Sequence, residues 1–186
     1  SNMIDWGTHW LDMMFFFNNE NPAVWVLGQI DAREWHEVFG LPYEHQAICE
    51  VKFENGVRGV LFTGEDSDIG CSMRLTGTEG VIELREGESP LWVRGAGNGK
   101  WKQPKIGGNL HGGDAVGAAI VDMVECLKSG QEPELAARKA LQATQVIFAT
   151  YESSRRRGRV DLPLKPKDSA YLSMIQSGDL TPKKAK

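Results

Sequence analysis

The feature that most confines this chain is a change of period. In QAICEVKFENG, residues 46–56, apolar and polar side chains alternate. Ala47, Cys49, Val51 and Phe53 fall on one side, and Gln46, Glu50, Lys52 and Glu54 on the other. Strict alternation sets one face of a strand in a core and the other toward water. Asn55–Gly56 is a turn signal and VRGVLFTGE follows it, so the two runs close a hairpin. CSMRLTGTEGVIELREG repeats the arrangement around GTEG, and PLWVRG adds one more short strand, which together predict an antiparallel meander. Upstream, NPAVWVLGQI is a β-branched and aromatic run after a proline and reads as a strand. Between them, DAREWHEVFGLPYEH reads as a loop with a short helical turn.

Helical periodicity brackets this block. Residues from Gly7 to Asn18 predict a helix that is apolar on most sides and therefore buried. DAVGAAIVDMVECLKSG predicts another, with Asp114 as N-cap and Gly130 as its stop. Its apolar positions Val116, Ile120, Met123, Val124 and Leu127 are expected in the core. PELAARKALQATQVIFATYESSRRRG predicts a third, from a proline to Gly158, and RVDLPL a final short strand. Helix, strands, two long helices and a strand predict an α+β domain, with an open, largely antiparallel sheet and helices packed on one face.

At 186 residues the chain is one domain, or one and a half, with room for a real core. A net charge of −4 argues against a general nucleic-acid binder. The runs MMFFF and AVGAAIV are far too short to span a bilayer, so no membrane is expected. Three scattered cysteines imply neither a disulfide framework nor a zinc cluster, and fit a reducing cytoplasm. Residues 1–3 read as an expression-tag scar, and lysine-rich 165–186 as a partly ordered tail.

Several tempting motifs have ordinary explanations. Gly95, Gly97 and Gly99 in RGAGNGKW recur every second residue and lead into no helix, unlike a dinucleotide fingerprint. GGNLHGGDAVGAA opens a helix but lacks the lysine of a phosphate loop. The arginines of SSRRRGR suit a helix carboxyl end, where cations gain roughly 0.3–1 kcal/mol. His36, His45 and His111 are scattered, though His111, in a glycine-rich loop just before a helix, has the reach to meet a ligand.

The segment IDWGTHWLDMMFFF is different. Asp5, His9 and Asp12 are spaced by four and three residues and share one face of a helix. If that helix is buried, three ionisable groups need compensation. One reading is a satisfied structural knot, with Asp5 capping the helix and His9 paired to an acid. A second is a site for polyol or sugar chemistry, in which imidazole accepts a hydroxyl proton and Asp5 holds a neighbouring hydroxyl or orients the ring. Metal binding by the three ranks last, for want of a fourth ligand.

Four segments in order resemble the carboxy-terminal domain of the Gfo/Idh/MocA family, which includes glucose–fructose oxidoreductase and inositol dehydrogenase. DWGTHWLDMM is similar to that family's D-x-x-x-H helix with a further acid downstream. AICEVKFENGVRGVLFTGE resembles its strand–NG–strand hairpin and MRLTGTEGVIEL its glycine-bounded turn. AARKALQATQVIFATYESSRRRGRVDLPL resembles its final helix and last strand. The resemblance covers most of residues 4–164 and implies a dihydrodipicolinate-reductase-like C-terminal domain. It places Asp5 and His9 on the D-x-x-x-H positions, the histidine as proton acceptor or relay and the aspartate on substrate hydroxyls. Trp10 and Asp12 lie beside them as pocket residues without a catalytic role, and His111 is a further substrate-binding candidate.

The family passes hydride between a sugar-like carbon and the nicotinamide of NAD or NADP. It binds that cofactor on an amino-terminal Rossmann domain, which also supplies a catalytic lysine. This sequence contains neither. The resemblance therefore implies the substrate-binding and oligomerisation half of an NAD(P)-dependent sugar or polyol oxidoreductase, which alone binds no cofactor and is inactive. Apolar groups on both faces of the sheet, and the pairing habits of such domains, imply a homo-oligomer through the open face. Two alternatives stay open: a non-catalytic ligand-binding or assembly module of the same ancestry, and a parent enzyme using NAD transiently in glycoside cleavage.

Overall fold

The computed structural model describes residues 2–32, 36–64, 72–85, 90–105, 114–165 and 167–180. Its elements are α1 (Trp6–Phe17), β1 (Ala23–Asp31), β2 (His36–Val38), β3 (Leu41–Tyr43), β4 (Gln46–Phe53) and β5 (Arg58–Gly64). They continue with β6 (Met73–Gly77), β7 (Gly80–Leu84), β8 (Leu91–Gly95), α2 (Ala115–Ser129), α3 (Ala137–Arg156), β9 (Val160–Asp161) and α4 (Ala170–Ser177). Two compact units divide the chain: Ser1–Asp66 with Asp122–Lys186, and Ser67–Val121.

In the first unit four antiparallel strands lie in the order β5-β4-β1-β9. The alternation of β4 does what its pattern predicts: Ala47, Cys49, Val51 and Phe53 are buried. Val26, Ile30 and Leu61 join them, and helices cover this face with Leu11 and Phe15 of α1 and Ala143, Val146 and Ile147 of α3. At Gly28 a Cβ would stand 2.7 Å from Thr150 Cγ2, so only a glycine lets α3 approach β1 this closely. β9 pairs with β1 only at Trp25 and Val26. Beyond it, Gly28 N–H donates to Ser153 Oγ (2.8 Å) and Ile30 N–H to Ser154 Oγ (3.2 Å), so helix hydroxyls replace a missing strand. The opposite face of the sheet leaves Leu27, Ile48, Val60 and Phe62 exposed.

The carboxyl end of α3 is pinned by charge. Buried Glu152 takes both Arg155 and Arg156, and Arg155 also bonds Asp168 at 2.6 and 3.0 Å. Arg157, not Gly158, adopts the left-handed conformation that ends the helix. Past it, α4 is capped by Ser169 and buries Ala170 and Met174.

The second unit is a three-stranded antiparallel sheet, β6-β7-β8. On one face Glu83 is bridged by Arg74 and Arg85, and Arg85 lies over the rings of Trp92 (4.7 Å) and Trp101 (5.0 Å).

Four expectations are corrected. The expected meander is split between the two units, since β4 and β5 pair within the four-stranded sheet while β6, β7 and β8 form their own. Residues 36–43 form a β2–β3 hairpin and no helical turn. Its two turn residues, Phe39 (φ 53°) and Gly40 (φ 78°), both take positive φ as a two-residue hairpin loop demands, yet a phenylalanine there gives no turn signal. The first helix buries only the stripe Gly7, Leu11 and Phe15, leaving Trp6, Phe16 and Phe17 exposed. The stripe on α2 is not core: Val116, Ile120, Met123, Val124 and Leu127 are all exposed and no residue of α2 is buried.

Candidate active site

At about 100° per residue, Asp5, His9 and Asp12 lie across α1 from its buried stripe. Asp5 and His9 are exposed and Asp12 and Trp10 half-buried. The need for internal compensation therefore falls away. Asp5 occupies the N-cap position but makes no side-chain capping bond. Among the described residues, none of the three side chains has a hydrogen bond or ion pair. Phe16 shares their face and Trp6 flanks it, both 55% exposed. The face thus offers two acceptor carboxyls and an imidazole amid aromatic surface, which suits a guest bearing several hydroxyls. His111 lies outside the described residues.

The beginning of α1 is held by a group that sequence reading missed. Glu44, wholly buried between β3 and β4, accepts hydrogen bonds at Oε1 from Met3 N–H (2.8 Å) and Tyr151 O–H (3.2 Å). The Asn2 amide donates to the Glu44 carbonyl (3.3 Å) and the His45 carbonyl (2.9 Å), while Asn2 O accepts Gly7 N–H at 2.8 Å. The Tyr171 ring lies tilted against that of Tyr151, with centroids 5.3 Å apart, and its hydroxyl donates to Pro42 O at 2.8 Å. Burial, with the neighbouring Glu44 carboxyl, pushes the Tyr171 phenol well up. This buried cluster fixes where α1 starts, and so where Asp5 and His9 stand.

Elsewhere in the first unit a cleft of about 940 Å³ lies along the β1 edge, lined by Leu27, Ile48, Glu50, Arg157 and Leu180 among others. No residue of α1 lines it. Among the described residues no three His, Cys, Asp or Glu side chains converge to hold a metal ion. Nor do the described residues join a strand to a helix by a glycine loop fit for a dinucleotide pyrophosphate: Gly95–Gly99 follow β8 and run into extended chain. No described helix is long and apolar enough to cross a membrane.

The four-stranded antiparallel sheet is backed by helices, and the model of the oxidoreductase family's C-terminal alpha/beta domain matches residues 2–162. The chain belongs to that family, Gfo/Idh/MocA. Among solved structures it is similar to an oxidoreductase domain protein from Kribbella flavida (TM-score 0.71, 18% identity, 88% of this chain and 52% of that one). The aldose–aldose oxidoreductase of Caulobacter crescentus, solved with glycerol, gives TM-score 0.71 at 18% identity over 87% of this chain and 48% of that one. A levoglucosan dehydrogenase, solved with NADH and levoglucosan, gives TM-score 0.68 at 18% identity over 87% and 50%. The chain therefore spans about half the length of these structures. No curated protein matches it significantly in sequence.

Proposed function

We propose that this chain is the substrate-binding half of an NAD(P)-dependent oxidoreductase acting on a hydroxyl of a sugar or polyol. The observation that carries the reading is the exposed face of α1, where Asp5, His9 and Asp12 stand without partners among the described residues. His9 accepts the proton of the reacting hydroxyl and Asp5 holds an adjacent one, while Trp10 and Asp12 shape the pocket wall. Glycerol and levoglucosan in two similar structures support a polyhydroxy ligand. The dinucleotide, when bound, supplies the hydride acceptor. This chain spans about half the length of the oxidoreductases it is similar to, and the family resemblance implies that a Rossmann domain holds the dinucleotide.

The open sheet face, with exposed Leu27, Ile48, Val60 and Phe62, serves self-association, and buried, free Cys49 fits a reducing cytoplasm. The test is a screen of the longer protein against polyols and aldoses with NAD and NADP. Dinucleotide-dependent turnover is expected from it and none from residues 1–186 alone. A longer protein that binds such ligands yet turns none over would overturn the catalytic reading in favour of a binding module.

A further inference from the structure

We infer that Tyr171 of α4 is a positioning residue for the reaction at His9, acting on the start of α1 through Tyr151 and Glu44. The inference rests on the proposed function and adds to it a segment that sequence reading takes as a tail. That segment, α4, lies beyond residues 2–162, the span the family model matches. Every group along the route belongs to the first compact unit.

Helix α1 does not fix its own beginning. Asp5 makes no capping bond, so the first turn is tied down from outside the helix. Asn2 O accepts Gly7 N–H at 2.8 Å, and Asn2 and Met3 are themselves buried and bonded to Glu44 and His45. Glu44 is held from two sides, and Tyr171 stands behind both. Its hydroxyl donates to Pro42 O at 2.8 Å, which fixes the chain two residues before Glu44. Its ring lies 5.3 Å from that of Tyr151, whose hydroxyl donates to Glu44 Oε1 at 3.2 Å. Burial raises the Tyr171 phenol, so it stays protonated and a donor across the neutral range.

Other contacts seat α4 itself. Ala170, Met174 and, just past its end, Leu180 are buried in the core, and Asp168 before it takes Arg155 at 2.6 and 3.0 Å. Removing the Tyr171 hydroxyl therefore leaves α4 in place and releases the chain at Pro42. His9 lies two residues past Gly7 on the same helix, so a tilt at the helix start moves the imidazole relative to the hydroxyl it serves. Misplacement by about 1 Å is enough to cost about a hundredfold in rate.

The test joins steady-state kinetics of the longer protein, with dinucleotide and its best polyol or aldose, to backbone amide spectra of the 186-residue chain. In Tyr171→Ala, kcat per dinucleotide-binding site is expected to fall about a hundredfold with dinucleotide affinity unchanged. Tyr171→Phe keeps the ring and loses only the bond to Pro42, so it is expected to recover part of that loss. Leu172→Ala, at an exposed position of α4, is expected to match the parent. In both Tyr171 variants the amide signals of Gly7, Thr8 and His9 are expected to move while those of β7 hold their positions. An unaltered kcat in Tyr171→Ala overturns the inference, as does an equal fall in Leu172→Ala. If Tyr171→Ala does not fold, Tyr171→Phe carries the test, and parent values for both its kcat and its amide signals overturn the inference. Unmoved signals at residues 7–9 beside normal turnover by the parent strike this inference alone. A parent that turns over no polyol or aldose defeats the proposed function, and this inference with it.

Discussion

Replacing Glu44 tests how the α1 face is held in place. Its Oε1 accepts two buried donors, Met3 N–H at 2.8 Å and Tyr151 O–H at 3.2 Å. In Glu44→Ala both lose their acceptor, at about 1–3 kcal/mol each, so a loss of about 2–6 kcal/mol is expected. Glu44→Gln keeps an oxygen in the same place and is expected to stay within about 1 kcal/mol of the parent. Urea unfolding followed by circular dichroism reads the two differences. Amide exchange reads the mechanism: protection at Met3 and Gly7 falls in the alanine variant and survives in the glutamine one. An alanine variant within about 1 kcal/mol of the parent, or a glutamine variant equally damaged, would refute the role of that oxygen.

Two further outcomes follow from the core. Gly28→Ala drives a methyl against Thr150 Cγ2 (2.7 Å) and the Ile48 carbonyl (2.9 Å) and is expected to cost about 1–3 kcal/mol. Thr150→Ser removes the first contact, so the double variant is expected to lose less than the two single losses together, and an additive cycle in urea would contradict that packing. Burial pushes the Cys49 thiol from its ordinary 9.0 up to about 11, so between those values the unfolded chain sheds its proton before the folded one does. Stability therefore falls with rising pH across that window, by about 2–3 kcal/mol in all. A Cys49→Ala variant is expected to lack that part of the slope, and identical slopes in the two proteins would contradict it.

What could be read from the sequence was local. The alternation in β4 needs only its neighbours, and Ala47, Cys49, Val51 and Phe53 are buried as the pattern requires. The spacing of Asp5, His9 and Asp12 likewise needs only the helix. The Glu44 cluster was invisible because its bonded partners Met3 and Tyr151 lie 41 and 107 residues away. The stripe on α2 is a reminder that helical spacing identifies an apolar face without saying what covers it. Phe39 in a positive-φ turn misled for a related reason: the β2–β3 pairing imposes a conformation that the residue itself does not favour.

The central claim is that the imidazole of His9 takes a hydroxyl proton during oxidation of a polyhydroxy substrate. It is tested most directly by the steady-state kinetics of His9→Asn in the longer protein, with saturating dinucleotide and its best polyol or aldose. The account predicts that kcat falls by about 10²–10⁴, with dinucleotide affinity unchanged. An unaltered kcat would contradict it.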